Sequence, residues 1–387
     1  MGENLVIKLT ERIDANNSEK VLEEINEKIN ASECTKVELD AENLTYISSA
    51  GLRILLSIKK KSGKALAITN VSSEVYDIFD VTGFNQILDV KKKKREVSVE
   101  GCEIIGKGFC GTVYRLDPET IIKVYKSEDR DSVEMIENEK KMAKLALING
   151  VPTAISYDIV KVGKYYGSVF ELLNAKSYND LVIENPDKVE DIVKEYVNFL
   201  KLIHGITIED RMLPSAKDKF KVYIDALKDY FDEDLFKKLC DLVDSVKECR
   251  NVVHGDPQMK NIMRVDGEPM FIDMDTLCAG SFLFDLQAFY VTYIVFAEDE
   301  PENNKAFLGI EQAYAEKIWN LVFKYYFDDK TDAEKENILD RIKVLSYIRF
   351  MYIVGTSSLK NTDVGKLRLK HSVEHLKELA SKYDSLA

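Results

Sequence analysis

The sequence predicts two successive folds: a small α/β domain, then an α+β domain built of two lobes. Three observations predict them. From Leu5 to about Val90, short β-type runs alternate with segments of helical period. From 98 to 172 strand-like runs dominate, with one helical stretch from about Ser132 to Ile148. From Tyr178 onward helical periodicity takes over, interrupted by a hairpin signature within 252–273. The basic run Lys91-Lys92-Lys93-Lys94-Arg95 breaks the first pattern, and domain junctions are polar and exposed. The expected organisation is an α/β domain over 1–90, a basic linker over 91–97 and a bilobal domain over 98–387. Within the last, the small lobe covers 98–172 and the large helical lobe 173–387.

In the first domain LVIKL (5–9) reads as a strand, and Val21, Leu22, Ile25 and Ile29 mark one face of a helix. VELD (37–40) is a second strand, followed by a helix with Leu52, Leu55 and Leu56 on its apolar side. ALAIT (65–69) and a short helix from Val75 to Phe79 complete the alternation.

Composition bounds the function. A chain of 387 residues with 45% hydrophobic content has ample core for several domains. A net charge of -13 argues against a nonspecific nucleic-acid binder, whose affinity comes from neutralising phosphates. The six cysteines, at 34, 102, 110, 240, 249 and 278, form no CxxC pair and no Cys/His metal spacing. Reduced thiols and a cytoplasmic location fit that pattern. The N-terminus lacks a basic-then-apolar signal, and the longest apolar run, Tyr290 to Ala297, is far too short for a membrane span.

In the second domain GKGFCGTV satisfies GxGxxGxV, with Gly106, Gly108, Gly111 and Val113 at the fixed positions. Glycines let the backbone approach phosphates closely. Dinucleotide-binding folds share the glycines but follow them with a helix; here strand-like TVYRL and TIIKVY follow, around a turn at Asp117-Pro118-Glu119. Lys123 ends a β-branched run and is a candidate phosphate contact, with Glu139 of the following helix as its partner. An outward-facing strand lysine and an exposed i,i+4 glutamate are the plainer alternatives. VFELL (169–173) lies at the expected lobe junction, where the backbone of Glu171 and Leu172 is a candidate for the adenine edge.

His254-Gly255-Asp256, with Asn261 five residues after the aspartate and Asp273 beyond, supplies a base and two oxygen ligands. Asp256 can accept the proton of an attacking hydroxyl, while Asn261 and Asp273 offer oxygens to Mg2+ on the phosphates of ATP. Between them, two apolar runs flank Asp266-Gly267, a strong hairpin signal. Folding about that turn pairs Val265 with Glu268 and sets Asn261 opposite Ile272, beside Asp273. Pro269 then faces Arg264, which is tolerable at a sheet edge.

Taken in order, GKGFCGTV, Lys123, Glu139, HGDPQMKN and FIDMD resemble the protein-kinase-like superfamily, in its branch of aminoglycoside phosphotransferases and choline kinases. The resemblance covers roughly 98–387. It implies that Asp256 is the catalytic base, that Asn261 and Asp273 hold Mg2+, and that the glycine loop and Lys123 bind ATP. Asp285, in LFDLQAF, matches an aspartate that supports the catalytic loop; Asp275 closes the IDxD-like segment. FLKLIHGI, ending near His204, looks like the helix preceding the catalytic strands. Lys260 before Asn261 and Gln258 in place of a frequent histidine depart from the branch pattern. No activation segment closing in APE follows Asp273, which favours a small-molecule hydroxyl acceptor. The acidic run AEDEPEN (297–303) could attract a cationic acceptor, with a solvated loop as the plainer alternative. Tyr290, Tyr293, Trp319, Tyr325 and Tyr326 could form an aromatic cage, with core packing as the alternative.

The segments ERIDANNSEKV and LTYISSAGLRILL resemble a STAS domain, the fold of bacterial anti-sigma factor antagonists, over roughly 4–90. Ser49 aligns with their phosphorylatable serine, although Ser48 stands where they have aspartate. A phosphate there would meet free helix amides; alternatively Ser48 or Ser49 simply caps the helix. The resemblance implies an anti-sigma-type partner. Beside a small-molecule phosphotransferase, two other functions stay open: a kinase for a serine such as Ser49, and a nucleotide-responsive binding module.

Overall fold

The structure, a computed structural model, describes residues 4–107, 111–126, 130–173, 175–209 and 212–387. It divides into two compact units. One comprises the chain through Ser98 together with Ile159–Lys164, and the other Val99–Asp158 and Tyr165–Ala387.

In the first unit, strands β1 (Asn4–Lys8), β2 (Lys36–Asp40), β3 (Ala65–Val71) and β4 (Asp89–Lys92) form a parallel sheet in that order. Parallel pairing requires crossovers, and the helices α1 (Ser18–Asn30), α2 (Ser49–Ser62) and α3 (Ser73–Val81) supply them. Val37, Leu39 and Ile68 of the strands share one core with Val21, Ile25 and Ile29 of α1 and with Leu52, Leu55 and Ile58 of α2. The helical residues recur at spacings of three and four, the period of one buried stripe.

The fourth strand corrects the expected linker. Lys91 and Lys92 belong to β4, which pairs only with β3 at the sheet edge. Lysines are common on edge strands because they discourage pairing with another chain. A run of charge therefore hid a strand.

In the second unit, β5 (Ile104–Lys107), β6 (Gly111–Arg115) and β7 (Thr120–Tyr125) form an antiparallel meander that precedes helix α4 (Arg130–Ile148). Strand β8 (Tyr165–Glu171) pairs with β7, setting Ser168 opposite Lys123. The helical part includes α5 (Val189–Gly205), α6 (Ala216–Ala226), α7 (Leu283–Tyr290), α8 (Asp332–Thr356) and α9 (Asp363–Lys382). Thr331 and Glu334 begin α8 with a reciprocal capping box, satisfying amides that the helix leaves unpaired. These helices share one core, which includes Val193, Leu200, Leu286, Leu345 and Leu376.

The segment that carries the predicted site is short and irregular, held between strands. Val252–Val253 pairs antiparallel with Cys278–Ala279. Between them the hairpin Ile262–Val265 and Glu268–Phe271 has the register expected from the Asp-Gly turn: Val265 faces Glu268 and Arg264 faces Pro269. The amide of Ile272 donates to the Asn261 carbonyl at 2.9 Å. Ala175–Ser177 covers one side of this hairpin, leaving Pro269 on the outer strand, where its missing N–H is tolerated.

Candidate active site

The site is built around Lys123. Its register opposite Val113 on β6 and Ser168 on β8 fixes it in the middle of the small-lobe sheet. Its ammonium forms a direct ion pair with Asp273 and lies 3.6 Å from Glu139 of α4. Glu139 also accepts a 2.8 Å hydrogen bond from the Tyr125 hydroxyl, and the Tyr125 ring lies 5.1 Å from the Lys123 ammonium. Burial alone would lower the lysine's pKa, but the charges of Asp273 and Glu139 outweigh it and raise the pKa. Glu139 is pushed upward, first by burial and also by the charge of Asp273, against the opposing pull of Lys123.

Asp273 leaves the hairpin with φ +62° and ψ +61°, a left-handed conformation that is uncommon for a residue with a side chain. That turn directs the chain from the outer hairpin strand into the short helical turn Met274–Thr276. Asp275, in that turn, is exposed. Desolvation by neighbouring protein, then the charges of Asp273 and Glu139, raise its pKa; solvent at the exposed face screens part of this.

The catalytic-loop candidates converge from the other side. Asn261 donates its amide hydrogens to the backbone oxygen of Asp256 at 3.0 Å and to its Oδ2 at 3.1 Å. Gln258 donates to the same Oδ2 at 2.9 Å. With its NH2 end committed to Asp256, Asn261 keeps its Oδ1 for another partner.

Asp285, fully buried at the start of α7, holds this loop. It accepts the amides of His254 at 2.9 Å and Gly255 at 2.6 Å, and a 2.9 Å hydrogen bond from Nε2 of His204. Burial would raise its pKa, yet the hydrogen bond from His204 and the Gly255 amide together lower it. His204 Nδ1 in turn meets the Tyr326 hydroxyl at 2.6 Å. His254, without solvent exposure, donates from Nε2 to the Ile272 carbonyl at 3.0 Å and accepts the Asp256 amide at Nδ1. Both ring nitrogens are thus used, which defines a neutral tautomer protonated at Nε2. Gly255 sits at φ +85°, and a Cβ there would lie 2.6 Å from the Thr276 carbonyl. Only glycine fits that turn.

The glycine loop divides. Gly108 lies outside the described residues. Gly106 faces Val113 across β5 and β6 with ordinary spacing. Gly111 is required by the sheet itself, since a Cβ would lie 2.3 Å from the Val124 carbonyl. At the lobe junction, the Leu172 amide is already donated to the Glu119 carbonyl at 2.7 Å, which corrects its expected availability to an adenine edge. Glu171 ends β8, its carboxylate accepting from Tyr157 at 3.1 Å.

Packing decides between two pairs of readings left open by the sequence. The aromatic cage does not form: Tyr290, Tyr293, Trp319 and Tyr326 are buried in the core. Tyr290 packs edge-on to Trp319 at 5.0 Å and Tyr293 stacks on Phe289 at 4.0 Å. Three of the four acidic residues of the run have partners within the fold: Asp299 on His371 at 2.6 Å, Glu300 on Arg368 at 3.0 Å and Glu298 on the Tyr347 hydroxyl at 2.9 Å; Glu302 is exposed.

Sequence reasoning missed Tyr125 and Arg349. Arg349, on α8, donates to the Gly255 carbonyl and lies 4.0 Å from Asp256 Oδ1. Its position inside the apolar stretch VLSYIRFMYIV was the available signal.

In the first unit, Ser48 is the cap of α2, its hydroxyl accepting from the amides of Ala50 at 3.2 Å and Gly51 at 3.4 Å. Ser49, the first helical residue, is exposed.

Comparison with known proteins fits this arrangement. The phosphotransferase enzyme family matches residues 101–317, more than half of the chain. The chain belongs to that family. The STAS domain family matches residues 2–97, so this phosphotransferase carries an N-terminal STAS domain. Over 90 residues the chain is 27% identical to an anti-sigma F factor antagonist of Paenibacillus polymyxa, covering 22% of this chain and 76% of that protein. Among solved structures, ADP-bound aminoglycoside phosphotransferase APH(2'')-Ib aligns at 14% identity over 81% of this chain and 98% of its own, with a TM-score of 0.46. A choline/ethanolamine kinase family protein from Mesorhizobium loti aligns at 14% identity over 72% and 87%, with a TM-score of 0.43. No described helix of this phosphotransferase is long and apolar enough to cross a membrane.

Proposed function

We propose that this phosphotransferase moves the γ-phosphoryl group of ATP to a hydroxyl of a small molecule, and that its STAS domain regulates or docks it. One observation carries the reading. Glu139, Lys123 and Asp273 form a chain of charge that runs to the Asp256–Asn261 loop through the Ile272–Asn261 hydrogen bond. A positioned base beside an oxygen-donor pair and a fixed lysine is what phosphoryl transfer needs, since its catalysis is mostly positioning and charge stabilisation.

In this reading Asp256 accepts the proton of the attacking hydroxyl. Gln258 and Asn261 fix its carboxylate through Oδ2, leaving Oδ1 toward the acceptor. Lys123 contacts the phosphates while Glu139 and Tyr125 keep it oriented. The residues present suit Mg2+: the free Asn261 oxygen and the Asp273 carboxylate are two hard donors, and this ion usually takes few protein ligands alongside phosphates. When bound, the ion offsets negative charge on the phosphates. Gly106, Gly108, Gly111 and Val113 form the nucleotide side in this reading. The cytoplasm is the proposed location, supported by the five described cysteines, all free.

The test is transfer from labelled ATP to a panel of hydroxyl compounds by the full chain and by Asp256→Asn. Unchanged transfer by Asp256→Asn would sink the reading.

A second reading is favoured by the exposed Ser49. Because Ser48 takes the cap, the Ser49 hydroxyl stands ready at a helix N-terminus, where amides and helix dipole stabilise an added phosphate. The acceptor would then be this serine, in cis or in trans, and the STAS surface would meet an anti-sigma-type protein. Mass spectrometry after incubation with ATP and Mg2+ decides it; absence of phosphate on Ser49 rejects it.

A further inference from the structure

We infer that the small-molecule acceptor carries an anionic group, a carboxylate or a phosphate, close to the hydroxyl that is phosphorylated, and that Arg349 and Lys219 hold that group. This rests on the phosphotransferase reading of Asp256. It departs from a cationic acceptor, for which the sequence offered two features. Both are largely taken up by the fold: four of the five aromatic residues are core, and three of the four acidic residues of the run are paired with Arg368, His371 and Tyr347.

What remains beside the base is positive. Asp256 Oδ2 is taken by Gln258 and Asn261, and the free Oδ1 is the oxygen that lies 4.0 Å from Arg349. The Arg349 side chain is only 17% exposed. One of its amino groups donates to the Gly255 carbonyl; its Nε and second amino group make no hydrogen bond to described residues. Lys219, on α6, donates once to the Thr276 carbonyl at 2.9 Å, and an ammonium has three donors. The two cations line one small cavity of about 30 Å3 against the catalytic loop, walled by Gly255 and Thr276. None of its lining residues is acidic.

The same cavity is lined by Gln287, whose Oε1 is buried and has no hydrogen-bond partner. The Gln287 amide nitrogen donates to the Phe284 carbonyl at 2.8 Å, so the oxygen end is fixed toward other partners. A buried acceptor left unpaired is unfavourable, and a hydroxyl or a water satisfies it. The wall therefore combines the two spare donors of Lys219 and the Arg349 fork, one amino group of which already faces Asp256 at 4.0 Å, with one acceptor, the complement of a hydroxylated anion. A planar guanidinium fork matches carboxylate and phosphate oxygens, whereas an ammonium-bearing acceptor would meet like charge there.

The experiment uses the full chain with labelled ATP, Mg2+ and hydroxyl compounds matched in skeleton but differing in charge: sugar acids, sugar phosphates, neutral sugars and amino sugars. The sugar acid and sugar phosphate arms separate a carboxylate from a phosphate. The expected result is a kcat/KM for one anionic arm at least ~10-fold above the neutral arm, the scale of one charge-assisted hydrogen bond. Arg349→Met should raise the KM of that anionic acceptor ~10-fold or more, with partial recovery in Arg349→Lys and little change in the KM of ATP. Equal losses for neutral and anionic acceptors in Arg349→Met would mean a purely structural arginine and overturn the inference. Transfer to neutral or amino sugars with silent anionic arms also overturns it and leaves the phosphotransferase reading standing. Silence in every arm overturns the inference, and overturns that reading too if ATP turnover does not depend on Asp256.

Discussion

The carboxylate of Asp285 receives the amide of Gly255 at 2.6 Å, thirty residues apart in sequence and without solvent access. This contact, with the His254 amide on the other oxygen, sets the backbone from which Asp256 projects. A charged acceptor buried against backbone donors is strong, and removing its charge leaves donors unsatisfied. Asp285→Asn must place an NH2 group against one of these donors. It is expected to cost about 2–4 kcal/mol of stability and to reduce phosphoryl transfer. Thermal denaturation followed by circular dichroism, together with kcat, checks both effects.

The same contact predicts acid sensitivity. The folded-state pKa of Asp285 is depressed, so its stabilisation is present above the unfolded-state pKa and is lost as pH falls through the folded value. The stability gap between the wild-type chain and Asp285→Asn should be constant near neutral pH and shrink in strong acid. Urea titrations across pH measure the gap; one that widened in acid would contradict this linkage.

Lys123 is expected to decide nucleotide affinity. Lys123→Met leaves Glu139 and Asp273 facing one another without the cation between them. Losing a charged contact of this kind weakens binding by ~10–100-fold. Isothermal titration with ATP and Mg2+ measures it, and an unchanged affinity would remove Lys123 from the site.

Gly111→Ala tests the sheet. The added Cβ would lie 2.3 Å from the Val124 carbonyl, so β6 and β7 must separate locally beside Lys123. Overpacking of this kind costs about 1–3 kcal/mol. A lowered melting temperature with weaker nucleotide binding is expected; full retention of both would show that the strands can part freely.

Ser48 and Ser49 should separate cleanly. Ser48→Ala removes the α2 cap and should destabilise the STAS unit by about 1 kcal/mol. Ser49→Ala, at an exposed first helical position, should stay within about 0.5 kcal/mol. Chemical denaturation monitored on both variants distinguishes them, and the reverse ranking would reassign the cap.

Much of the site was legible because its signals are local. The Asp-Gly turn between two strand-like runs dictated the hairpin register, and with it the closeness of Asn261 to Asp273. The alternating pattern gave three strands of the first sheet, whereas β4 was hidden because lysines suit an edge strand as well as a linker. The aromatic residues could have been cage or core; helical spacing is the same for both, and only packing distinguishes them.

By itself, then, the sequence determined which residue types occur in which order: the glycines, Lys123, Glu139, the His254-Gly255-Asp256 loop, Asn261 and Asp273. Turn chemistry and strand period act over a few residues, so they can be read without the fold. The tertiary structure alone decided that Lys123 pairs with Asp273, that His204 and Tyr326 back Asp285, and that Arg349 reaches Asp256 from α8. These contacts join residues far apart in the chain, and their geometry follows from how whole helices and strands pack. No local period encodes that packing, and it is what sets the charge around Asp256.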